Sequence, residues 1–217
     1  MNALQPETMK TAKFNMIEQQ IRPWEVLDPR VLGCLAELDR EDFLPERFAG
    51  VAYADYPLPA GHGEVLLPPV LEGRLLQALD LQPADSVLEI GSGTGYLTAC
   101  LARLAGQVVS VDAWPDITTA ARERLQKLGI DNARFETIES LDGIRDRERY
   151  DAIAVAAGSL PTVPQNLLDA LAIDGRLFAI VGHSPVMSAE RITRIGHDEW
   201  QTEKLFETDI PPLRFGA

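Results

Sequence analysis

Apolar and polar positions alternate in three different ways along this chain. The first stretch is helical: Phe14, Ile17 and Ile21 recur at helical spacing until Pro23 ends the pattern. Asp28-Pro29 supplies an N-cap followed by proline at the first helical position, and Val31, Leu32, Leu35 and Leu38 then form an apolar stripe. From Leu44 to Pro69 the rhythm breaks. Pro45, Pro57, Pro59, Gly61, Gly63, Pro68 and Pro69 punctuate this stretch and predict mostly loop. Loops of that length inside compact domains are often functional. Helical spacing returns at Leu71, Leu75, Leu76 and Leu79.

A third rhythm begins near Asp85. Ser86 to Ile90 reads as a buried strand, a glycine turn follows, and a helix runs from about Tyr96 to Leu104. Val108 to Val111 is a second strand, and Ile117, Ala121, Leu125 and Leu128 mark a helix that Gly129 caps. Strands are predicted at Ala133 to Ile138, Ala152 to Ala156 and Leu177 to Val181, with a helix around Pro164 to Leu171. Alternating strands and helices predict an α/β fold, a mostly parallel sheet with helices on both faces. Arg191 to Ile195 and Trp200 to Phe206 flank Gly196-His197-Asp198-Glu199, which predicts an antiparallel hairpin at the C-terminal edge. The expected division is a helical N-terminal extension with a long loop over 1–80, and a nucleoside-binding α/β domain over 81–217, packed as one unit.

Composition narrows the function classes. The net charge of −13 repels phosphate backbones, so no nucleic-acid partner is expected. No apolar run approaches the length of a membrane span, and the first residues lack the basic and apolar regions of a signal peptide. Cys34 and Cys100 stand alone in apolar helical patterns, which predicts buried reduced thiols in a cytoplasmic protein and no metal site.

The turn Glu89-Ile90-Gly91-Ser92-Gly93-Thr94-Gly95 carries the chemistry. Without side chains, its main chain can approach a ligand closely, at the strand ends where open α/β sheets bind nucleotides. The dinucleotide spacing fails, because Tyr96 occupies its sixth position, and the P-loop Lys and Ser/Thr are missing. Asp112 ends the second strand about twenty residues later, where a carboxylate can accept both ribose hydroxyls. Glu89 lies within the apolar strand and needs partners there.

The E-x-G-x-G-x-G form is similar to the first motif of S-adenosylmethionine-dependent methyltransferases. Ala52-Tyr53-Ala54-Asp55-Tyr56-Pro57-Leu58-Pro59-Ala60-Gly61-His62-Gly63, Leu38 to Pro45, Val87 to Ala102, Tyr150 to Ala157 and Ile210-Pro211-Pro212-Leu213 resemble, in order, segments of the protein-L-isoaspartate O-methyltransferase family. The resemblance implies a Rossmann-like methyltransferase fold with S-adenosyl-L-methionine as cofactor and isoaspartyl-containing proteins as acceptors, in a protein-repair reaction. It implies cofactor contacts at Glu89, Gly91, Ser92, Gly93, Thr94, Gly95, Asp112, Ala113, Glu139 and Ala156. Glu89 would order the glycine turn and Glu139 would accept the adenine amino group. Asp55 and His62 are the candidate catalytic positions, set against a turn-forming Asp and a surface loop histidine. Trp114 is a candidate to flank the adenine, and His183 is expected to be a strand-end loop residue.

Two departures stand out. The family's Gln-Thr-Ile-Ser after the loop is Glu64-Val65-Leu66-Leu67 here, so Leu67 takes the place of an acceptor-binding serine and Glu64 adds a negative charge near an anionic acceptor. The family's Gly-Asp-Gly is replaced by Ile138-Glu139-Ser140. Rival readings are the same cofactor with another acceptor, a non-catalytic cofactor-binding module and, least supported, a nicotinamide dehydrogenase.

Overall fold

The computed structural model describes residues 6–144 and 149–214. Helix α1 (Pro6–Asn15) opens at Met16 into a π-helical turn, Met16–Ile21. The wider turn buries Met16, Ile17 and Ile21 and leaves Phe14 exposed, so the expected stripe is displaced at its first member. In α2 (Pro29–Glu37) the Asp28 side chain accepts from Arg30 N at 2.8 Å, and Pro29 opens the helix. Its buried side places Val31, Cys34 and Leu35 against the rest of the core.

The stretch expected to be loop holds more structure than predicted. A short helix α3 (Glu46–Ala49) is followed by a hairpin of β1 (Leu58–Gly61) and β2 (Glu64–Leu66). Its turn residues His62 and Gly63 have φ of 50° and 79°, the backbone that a tight two-residue hairpin demands. Helix α4 (Pro69–Leu79) follows directly.

Next come β3 (Ser86–Ile90), α5 (Tyr96–Leu104), β4 (Gln107–Asp112), α6 (Pro115–Lys127), β5 (Ala133–Thr137), β6 (Tyr150–Val155) and α7 (Gln165–Asp169). The chain ends in β7 (Leu171–His183), β8 (Val186–Gly196) and β9 (Glu199–Thr208). The seven-stranded sheet runs β5-β4-β3-β6-β7-β8-β9, parallel through β7 and antiparallel beyond it. The C-terminal hairpin therefore sits at one edge, as its sequence predicts. Strand β7 begins six residues earlier than expected. Leu171 already pairs with Tyr150, and the ladder then shifts register before resuming at Ala152 and Arg176, with Asp174 at φ 64° in between.

Alternation within the strands sorts the core. Val87, Val108, Ala152, Ala154 and Phe178 join one cluster with residues of α4, α5 and α6, reaching outward to Met16, Val31 and Leu35. Leu88, Ile90, Val109, Val111, Ile153 and Leu177 face the other way, toward Leu167 of α7. The N-terminal helices thus extend the core of the sheet domain. Among the described residues, no helix is long and apolar enough to cross a membrane.

Candidate functional site

At the carboxyl end of β3 the chain reverses through Gly91, Gly93 and Gly95, at φ 96°, 49° and 86°. An added Cβ would come closer than 3.0 Å to a neighbour at all three, and only at Gly91 is that neighbour a Cβ and backbone that cannot swing away. A Cβ on Gly91 would lie 2.1 Å from the Ala157 Cβ, so the turn rests directly on the segment after β6. A Cβ on Gly93 would lie 2.8 Å from Leu66 Cδ2, so a hairpin side chain overlies that bend. The main-chain bonds Gly91 N to Val111 O (2.8 Å) and Ala156 N to Ile90 O (2.9 Å) tie the turn into the sheet.

Asp112, at the end of β4, is 1 % exposed. Its Oδ1 accepts from Trp114 N at 3.1 Å and its Oδ2 approaches Gly93 N at 3.4 Å. Burial raises its carboxyl above the ordinary range, and these backbone N–H groups partly oppose that. Glu89 sits behind the turn, fully buried. Its Oε2 accepts from the hydroxyls of Thr98 on α5 and Ser110 on β4, and Ser110 contacts the Ser92 hydroxyl at 2.7 Å. Glu89 therefore reaches the turn through Ser110 and Ser92. Burial pushes its carboxyl up to about 8, so it holds a proton at neutral pH.

Opposite this wall stands the β1–β2 hairpin. Between the two lies a narrow cleft lined by Gly91, Ser92, Gly93, Thr94, Ala156 and Ala157 on one side and Ala60, Glu64, Leu66 and Leu67 on the other. Leu67 is buried, and its carbonyl accepts from Arg40 Nη2 at 2.9 Å. Arg40, 1 % exposed, also donates to Ala52 O and pairs with Glu72 of α4 at 3.1 Å. One guanidinium thus fixes both ends of the hairpin segment. The tip is held differently. The His62 ring stacks on Trp114, centroids 4.0 Å apart, and its Nε2 lies 2.9 Å from Asp116 at the start of α6.

The other expected site residues are placed as follows. Asp55 is exposed and accepts from Val70 N at 3.1 Å, capping α4 outside the cleft lining. His62 is at the hairpin tip over α6. Ala113 and Trp114 follow Asp112, half-buried. Glu139 is exposed just beyond β5 and does not line the cleft. His183 is exposed at the end of β7 and borders a separate cavity. Glu64 lines the cleft together with Leu67. It is 7 % exposed and feels Asp112, His62 and Arg214, with the Trp114 side chain facing it. The reason is strand alternation: Glu64 and Leu66 share one face of β2, and that face meets Gly93 and Asp112. Sequence reasoning passed over Leu66, Ala157, Arg40 and Ser110. Arg40 gave no distinct signal, because it stands in the charged run Asp39-Arg40-Glu41-Asp42, whose neighbours Asp39 and Asp42 are exposed.

The residue types around the cleft suit an adenosyl sulfonium. Its glycine turn offers bare main chain, and the buried carboxylate of Asp112, which does not itself line the cleft, lies next to that turn at Gly93. No group of three or more His, Cys, Asp or Glu side chains converges to hold a metal ion among the described residues.

Comparison with known proteins agrees with this architecture. The family described as protein-L-isoaspartate(D-aspartate) O-methyltransferase (PCMT) matches residues 11–213. Protein-L-isoaspartate O-methyltransferase 1 of Rhodopseudomonas palustris strain HaA2 is 39 % identical over 199 residues, covering 91 % of this chain and 81 % of the relative. The protein-L-isoaspartate O-methyltransferase of Koribacter versatilis is 37 % identical over 201 residues, 93 % of this chain and 90 % of its own. A Plasmodium falciparum chain assigned as the same enzyme, crystallised with S-adenosyl-L-homocysteine, superposes with a TM-score of 0.78 at 22 % identity, covering 95 % of this chain and 98 % of that one. It shares the fold. With nearly the whole length matched, the chain belongs to the protein-L-isoaspartate(D-aspartate) O-methyltransferase family.

Proposed function

We propose that this protein is a methyltransferase that uses S-adenosyl-L-methionine to methylate the carboxylate of isoaspartyl residues in altered proteins. The observation that carries the reading is the cleft between the glycine turn with Asp112 and the β1–β2 hairpin. The cofactor, when bound, supplies a methyl group on a positively charged sulfur. Asp112 accepts the ribose hydroxyls, and Gly91, Ser92, Gly93 and Thr94 line the main-chain cradle. Gly95, Ala113, Glu139 and Ala156 complete the set, with Glu139 toward the adenine end and Glu89 ordering the turn from behind. Leu66 and Leu67 shield the cleft from water. An acceptor carboxylate with a pKa near ~4 is already ionised at neutral pH, so no general base is required. The chain's task is to orient and desolvate it. Asp55 and His62 act through position: one caps α4, the other holds the hairpin. Buried, unbridged Cys34 and Cys100 support a cytoplasmic setting.

One observation favours a second reading, the same cofactor with a different acceptor. Leu67 presents an apolar side chain to the cleft where the family resemblance calls for a hydroxyl. Transfer of labelled methyl to an isoaspartyl peptide and to its normal aspartyl twin separates the two. Incorporation confined to the isoaspartyl peptide is expected, and equal or no incorporation overturns the acceptor assignment. Leu67→Ser should raise kcat/KM on the isoaspartyl peptide about tenfold, the worth of one hydrogen bond to a charged group.

A further inference from the structure

Glu64 is a residue that neither the family motif nor the reaction calls for. It is the first residue of β2, immediately after the His62-Gly63 turn. That turn is pinned on several sides. His62 stacks on Trp114 and contacts Asp116, and a Cβ on Gly61 or Gly63 would meet Ile117 Cδ1 at 3.3 Å or Arg214 Nη1 at 3.0 Å. The Glu64 side chain is thereby directed inward, into the cleft it shares with Gly91, Gly93 and Thr94.

The groups that face it are Asp112 from β4, His62 from the turn, Arg214 from the C-terminal segment, and Trp114. Arg214 and His62 are both exposed, Asp112 is a buried like charge acting on Glu64, and the buried Glu72 of α4, paired with Arg40, lines the same cleft. Burial first and Asp112 second push the Glu64 carboxyl up to about 7. The residue is therefore poised between charge states near neutrality. Glu64 is buried and lines the cleft itself, so a charge held against Gly91 and Gly93 lies within a Debye length of its carboxyl, in a partly dry setting.

Methyl transfer changes the charge in this cleft. The S–CH3 bond breaks with its electron pair kept by sulfur, a carboxylate oxygen forms the new O–CH3 bond, and a sulfonium becomes a neutral thioether. We infer that Glu64 is a specificity-determining residue that senses this difference. Its ionised carboxylate favours S-adenosyl-L-methionine over S-adenosyl-L-homocysteine and so lowers inhibition by the product. The inference rests on the cofactor assignment proposed above and deepens it.

The test is the ratio of affinities for the two nucleosides, measured by calorimetry at pH 6 and pH 8 on the full chain and on Glu64→Gln. Titration of the ligands' own amino groups is common to both proteins and cancels in the comparison. At pH 6 the two proteins should show similar ratios. At pH 8 the unaltered protein should prefer the sulfonium about tenfold more than Glu64→Gln does, the equivalent of a one-unit pKa shift on binding. S-adenosyl-L-homocysteine binding by the variant reports that it is folded, and Glu64→Ala replaces it where Gln does not fold. Equal ratios at both pH values overturn the role of Glu64 and leave the cofactor assignment intact. Failure of the unaltered protein to bind either nucleoside overturns both.

Discussion

The two walls of the cleft are built on different principles. The wall formed by the ends of β3, β4 and β6 is continuous with a seven-stranded sheet, and its turn is held by main-chain bonds such as Gly91 N to Val111 O. The facing hairpin consists of strands of four and three residues that pair only with each other. Such a ribbon has little stability of its own. Side chains hold it instead: Arg40 and Glu72 below, His62 and Asp116 at the tip. The glycine turn of the sheet wall resembles the cofactor motif, with a departure at Ile138-Glu139-Ser140 beyond β5, and the two departures from the acceptor motif, Glu64 and Leu67, lie in β2 and just after it. Substitution is tolerated where backbone geometry does not dictate the residue, so specificity can change there without rebuilding the cofactor site.

Breaking the hairpin wall should produce the largest effect. Arg40→Ala leaves Glu72 buried and unpaired and strips the Ala52 and Leu67 carbonyls of their donor. Denaturant unfolding should show a loss of about 3–5 kcal/mol. A loss below about 1 kcal/mol would mean that the hairpin is held by something else.

On the sheet wall the corresponding substitution acts more gently, through pH. Glu89 is raised to about 8 by burial, whereas an unfolded Glu titrates near ~4.3. Between those values the folded protein keeps a proton that the unfolded chain releases, so this residue makes stability fall as pH rises through that window. Glu89→Gln removes that component while keeping an acceptor for Ser110 and Thr98. Unfolding at pH 5 and pH 7 should show a shallower decline in the variant, and identical declines would place the titration elsewhere.

The same contrast governed what could be read from sequence. The unit from Ser86 to Lys127 was legible because its strands and helices bury continuous apolar faces and Gly91-x-Gly93-x-Gly95 leaves few backbone alternatives. The hairpin was hidden by Pro57 and Pro59, which disfavour strands, and by a histidine at φ 50° in its turn, where the ring is received by Trp114 and Asp116. The displaced stripe at Phe14 follows from a π-turn that no residue pattern announces. That Glu64 faces Asp112 and the glycine turn could not be read from sequence, because only the pairing of β2 with β1 reveals which way it points.

The account depends most on the cleft beside Gly93 and Asp112 holding the adenosyl group. Calorimetric titration with S-adenosyl-L-homocysteine, on the unaltered chain and on Asp112→Ala, tests this directly. The prediction is one saturable site per chain, with affinity reduced by about 10–100-fold in the variant, the cost of a hydrogen-bonded carboxylate. Absence of binding at millimolar ligand, or equal affinity in the two proteins, would contradict it.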